Sequence, residues 1–113
     1  MMETELSHGA MPIRSDRVFH VRVAEIAANG PLLRTVSELF DERNNPMFEQ
    51  MGHHFENEKS WRKAMAEHHA VVVAIAAQKP EAARMAMHLH LERSQERFAD
   101  VWPQPVAAAV AAY

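Results

Sequence analysis

The sequence predicts an all-α fold, an antiparallel bundle of about four main helices. Three observations carry this. Only 3 Gly and 6 Pro interrupt the 113 residues, and both are poor residues for helix interiors. Ala, Glu, Met, Arg and Leu are abundant, while β-branched residues are few outside two short valine runs. Apolar letters recur at steps of three and four, the spacing that lines one side of a helix.

Residues 1–15 show no sustained period and contain Gly9, Pro12 and a potential cap at Ser15, so they read as a loose lead-in with room for a short helical piece at 3–8. From Asp16, the letters Phe19, Val23, Ile26 and Ala27 define a first amphipathic helix over 16–28, stopping near Asn29-Gly30. Pro31 suits the first turn of a second helix over 31–43, which carries Leu32, Leu33, Val36, Leu39 and Phe40 and ends at Asn44-Asn45-Pro46. The stretch 44–60 mixes polar residues with Met47, Phe48, Met51 and Phe55 and includes His53-His54; it reads as a loop or an irregular helix. A third helix over 60–78 takes Ser60 as N-cap, Lys79-Pro80 breaks the chain, and a fourth helix runs from Pro80 to about residue 102. The Ala-rich tail 103–113 has too few large side chains to pack and is expected to be disordered. One helical domain over 16–102 is therefore expected, without internal repeats.

Composition removes several classes of function. A net charge of −3, from 12 Lys plus Arg against 15 Asp plus Glu, lacks the basic excess that duplex DNA demands. With no Cys there is no disulfide framework, thiolate zinc site or cysteine nucleophile. No apolar run is long enough to span a bilayer and the start lacks the pattern of a signal peptide, so a cytoplasmic protein without membrane contact is expected.

Eight histidines are many for this length, and their placement on the helices separates them. Each helical residue advances about 100°. On the third helix His68 falls within the stripe of Trp61, Ala64, Met65, Val71, Val72 and Ile75, whereas His69 points away beside Arg62 and Val73. On the fourth, His90 joins Ala83, Met87, Leu91, Ser94, Phe98 and Val101, whereas His88 shares a side with Glu81, Glu92 and Gln95. On the first, Asp16 and His20 lie four residues apart on one face, at the edge of the apolar stripe. A single inward histidine is more often a satisfied core residue, and Asp16 alone reads as an N-cap or first-turn acid. Three inward histidines and an inward carboxylate would together be costly to bury without a shared partner. A divalent metal ion, with Zn favoured and Ni or Mn suitable, resolves that cost and can leave positions open to water or a ligand carboxylate. His8, His53, His54, His69 and His88 read as surface or loop residues without a specific role.

The same residues carry a family resemblance. Asp16-Arg-Val-Phe19-His20 resembles the D-x-x-F-H element of the FCD domain, the effector-binding domain of FadR-subfamily GntR transcriptional regulators. Ala28-Asn29 with Pro31-Leu32-Leu33 is similar to its next joint; Glu67-His68 with Val72 and Ala74-Ile75 is similar to its E-H-x-x-(I/V)-x-x-A-I element. Glu81-Ala82-Ala83 with Met87-His88-Leu89-His90-Leu91 resembles its E-A-A-x-x-x-M-x-x-H-L ending. The resemblance covers about residues 16–102. It implies an FCD-like fold, metal ligation by Asp16, His20, His68 and His90, and a small carboxylate effector beside the metal. It also implies that effector occupancy acts on paired DNA-binding domains.

Only fifteen residues precede Asp16, so the winged helix-turn-helix domain and opening helices of that family are not expected here. The chain alone is accordingly expected not to bind DNA, and its uncovered apolar faces point to homo-oligomerisation, most simply a homodimer. Two further readings differ in class. A small metal-dependent hydrolase would need a general base, for which Glu67 at the edge of its stripe is the best candidate, but HExxH, GxSxG and P-loop patterns are absent. A di-iron bundle would need two E-x-x-H pairs, whereas only Glu5-x-x-His8 occurs. A non-enzymatic sensing domain is the leading reading, with a metal-free helical interaction module as the alternative.

Overall fold

The computed structural model describes residues 2–8, 12–47 and 56–101. Phe48, Met51, His53, His54 and Phe55 of the expected loop, and the tail 103–113, lie outside the described residues. Among the described residues the fold is all-α, with no strand. The helices are α1 (Met2–Ser7), α2 (Ile13–Ile26), α3 (Gly30–Asp41), α4 (Glu58–Ala76) and α5 (Pro80–Val101), with a 3-10 turn at Glu42–Asn44 after α3. No helix among them is long and apolar enough to cross a membrane. The chain divides into two compact units, Met1–Met65 and Ala66–Tyr113.

In the first unit, α1 is the short helical piece anticipated at 3–8. Six residues cannot sustain a helix in water, so it depends on packing. Leu6 provides that packing in a buried cluster with Trp61 and Ala64 from the start of α4, against which Met2, Ile13 and Met65 also lie. Helix α2 begins three residues earlier than the sequence suggests: Pro12 precedes it, and Ser15 lies buried in the first turn instead of capping it. Asp16 is therefore a first-turn acid, well placed against the helix dipole. Helices α2 and α3 pack as a hairpin, tied at the surface by Arg17 Nε donating to Asp41 Oδ1 at 2.7 Å.

The turn between them differs from the expectation that Gly30 ends the first helix. Ala28 takes the left-handed conformation, with φ of 54°, while Asn29 caps α3 by accepting from the Leu32 amide. Gly30 is the first residue of α3, followed by Pro31. An asparagine cap and an early proline fix the start of α3 so firmly that the strained position moves back to Ala28.

Helix α4 likewise starts before Ser60. Asn57 and Ser60 exchange hydrogen bonds, Ser60 N to Asn57 Oδ1 at 2.9 Å and Asn57 N to Ser60 Oγ at 3.0 Å. This is the reciprocal logic of a capping box, with Asn57 as the cap and Ser60 answering it.

In the second unit, α4 ends in a Schellman turn: Lys79 N donates to Ala74 O and Gln78 N to Ile75 O, with Gln78 at φ 56°. Pro80 then opens α5. Val71 is almost fully enclosed and Ala74 is buried. Val72, expected inside, is exposed, and so is Leu91 on α5. Both sit one position from the buried residues Val71 and His90, which mark the enclosed line of each helix.

Candidate metal centre

All four residues that the sequence singled out are buried, with exposures between 3% and 8%. His69 and His88 are exposed, as the helix geometry anticipated, and His8 is exposed and folds back on the Thr4 carbonyl. His53 and His54 lie outside the described residues.

In the first unit, Asp16 and His20 stand one turn apart on α2, with Asp16 Oδ1 3.5 Å from His20 Nε2. The imidazole of His20 stacks on Phe40 of α3, their centroids 4.5 Å apart and planes 20° from parallel, and meets Phe19 edge-on. Those two rings restrict its plane. The other carboxylate oxygen, Asp16 Oδ2, accepts from Arg43 Nη1 at 2.7 Å. Arg43 is delivered by the 3-10 turn, pairs also with Glu56, and lies over the Trp61 ring at 5.4 Å. Burial lowers the Arg43 pKa, an effect opposed by the charge and hydrogen bond of Asp16. A guanidinium remains charged under such shifts, so Asp16 keeps a fixed cation on one oxygen.

In the second unit, His68 Nε2 and His90 Nε2 are 3.2 Å apart, their rings meeting edge to face. His90 Nδ1 lies 2.6 Å from Glu67 Oε1. Arg97 grips that carboxylate with both ends of its fork, Nη1 to Oε2 and Nη2 to Oε1, each at 2.8 Å, and Nη2 also reaches Ser94 Oγ at 3.2 Å. Desolvation would raise the Glu67 pKa, but the hydrogen bonds from Arg97 and His90, with the charge of Arg97, hold it below its ordinary value. Glu67 is thus an ionised acceptor.

His20 in the first unit and His68 and His90 in the second are each buried, and imidazole nitrogens are the commonest metal ligands. Asp16 is buried beside His20, and one of its oxygens is engaged by Arg43. Sequence reasoning did not find Arg43 and Arg97, and it weighed Glu67 only as a base. The available signal was the placement of His90, Ser94 and Arg97 at i, i+4 and i+7, which aligns three polar groups on one side of α5.

These buried donors and the all-helical fold are those of a recognisable class of sensory domain. The FCD domain family matches residues 1–93, and the chain belongs to that family. The Uxu operon transcriptional regulator of Escherichia coli (strain K12) is 29% identical over 84 residues, covering 74% of this chain and 33% of that protein. The chain therefore spans about a third of the length of this relative. Together these findings make it a GntR-type effector-binding domain. No solved structure matches the chain.

Proposed function

We propose that this chain is the ligand-sensing part of a transcriptional regulator, in which Asp16, His20, His68 and His90 hold a divalent metal ion that positions a small organic acid. The observation that carries the reading is the burial of three imidazoles and one carboxylate in a chain of the FCD family. The donor chemistry fits: imidazole nitrogens with one carboxylate oxygen suit Zn, and also Ni or Mn. Asp16 would contribute Oδ1, since Oδ2 is held by Arg43. His90 donates its remote nitrogen proton to a carboxylate, the arrangement that metal-ligating histidines use.

When bound, the metal supplies a Lewis-acidic point for a carboxylate to dock on. The chain's own residues orient the donors and exclude water, and no bond is made or broken in the effector, so the domain is not an enzyme. Residues 16–102 form the sensing unit. Occupancy would be coupled to the arrangement of subunits in a homodimer, whose partner domains, not this chain alone, bind DNA. The protein would act in the cytoplasm, without a membrane.

The pairing of His68, His90 and Glu67 also supports a metal-free helical module, because both ring nitrogens of His90 have partners without an ion. Thermal unfolding with and without Zn²⁺, followed by a panel of small carboxylates, separates the two. The sensing domain predicts a rise in Tm with Zn²⁺, a further rise with some acid, and loss of both in His68→Ala and His90→Ala but not in His69→Ala or His88→Ala. Equal responses in all four variants would overturn it.

A further inference from the structure

The carboxylate of Glu67 sits where it dictates which nitrogen of His90 carries a proton. An ionised carboxylate only accepts hydrogen bonds, so at 2.6 Å from Oε1 the Nδ1 of His90 must be the donor. A neutral imidazole has one proton, so the lone pair is then on Nε2, the atom facing His68 Nε2 at 3.2 Å. Arg97 completes the device. Its two bonds fix the plane of the carboxylate and keep it charged, and Oε1 takes a hydrogen from each of His90 and Arg97. All of this rests on Glu67 from α4 and on His90 and Arg97, two turns apart on α5.

We infer that Glu67, braced by Arg97, is the positioning residue that locks His90 as its Nδ1–H tautomer and aims the Nε2 lone pair at the metal. The inference rests on the metal reading above for its consequence, but not for the tautomer itself. Glu67 touches neither metal nor effector; it acts through His90. The predicted cost of removing it is the usual one for a partner behind a metal-binding histidine, about 10- to 100-fold in affinity. A glutamine at 67 could keep its oxygen on both His90 Nδ1 and Arg97 Nη2, whereas an alanine removes the acceptor outright and frees His90 to take the Nε2–H form.

The test uses the full chain labelled with ¹⁵N at histidine, stripped of metal with a chelator. Long-range ¹H–¹⁵N correlation assigns the tautomer of His90, and Zn²⁺ competition with a chromophoric chelator reads the affinity. The wild type should show Nδ1–H, Glu67→Ala should shift His90 toward Nε2–H, and its Zn²⁺ affinity should fall about 10- to 100-fold. Arg97→Lys, which keeps a cation but loses the fork, should retain Nδ1–H and lose less affinity. A wild-type His90 protonated at Nε2, or an unchanged tautomer and affinity in Glu67→Ala, overturns the inference. Failure of the wild type to bind Zn²⁺ would overturn the metal reading, while the tautomer shift would still decide the role of Glu67.

Discussion

Glu67 is the residue on which acid stability should turn. Its folded pKa is lower than that of an exposed carboxylate, so it stabilises the fold above the unfolded value of about 4.3, and that contribution is lost as pH falls through the lower folded value. In the presence of a chelator, the urea midpoint should drop between about pH 6 and about pH 3, with a smaller drop in Glu67→Gln. Identical pH dependence in the two proteins would contradict this. The inward histidines were legible because facing is a local property: three and four residue spacing alone places His20, His68 and His90 inside and His69 and His88 outside. The partners were not. Arg97 meets Glu67 across 30 residues of sequence and Arg43 meets Asp16 across 27, and no local period encodes such pairings. The wheel also put Asp16 with the histidines, without revealing that Arg43 claims one of its oxygens.

At the scale of the element, helix existence was readable and helix ends were less so. Ser15 and Ser60 were both plausible caps, but Pro12 precedes α2 and Asn57 caps α4, because caps compete and the local hydrogen bonding decides among neighbours. Val72 and Leu91 show the limit of a stripe drawn from letters, which counts apolar residues without knowing how wide the covered face is. The two turns that end α2 and α4 place a non-glycine residue in the left-handed region, Ala28 and Gln78. That conformation is strained for any residue with a Cβ. Gln78→Gly should therefore raise stability by about 0.5–1 kcal/mol, the relief of strain outweighing the added freedom of the unfolded chain. Differential scanning calorimetry would show the higher Tm, and a lower Tm in Gln78→Gly would argue against the turn as described.

For the molecule as a whole, fold class followed from composition and period, since scarce Gly and Pro and 3.6-residue spacing leave little room for strands. The family membership adds what those signals lack, and it is the ground for the sensing role proposed above. The division into two units falls within α4, and Asp16 and His20 belong to the first unit while His68 and His90 belong to the second. Under the proposed function, a metal held by all four would make the stability of both units depend on one ion. Its retention should weaken on acidification, because protons compete with the metal for the imidazole nitrogens. The direct measurement is elemental mass spectrometry of the protein, purified without a polyhistidine tag and incubated with Zn²⁺, beside an Asp16→Ala, His90→Ala double variant. The proposal predicts about one equivalent of metal in the wild type and its loss in the variant. No metal in the wild type after exposure to Zn²⁺, Ni²⁺ and Mn²⁺, or equal metal in both proteins, would contradict it.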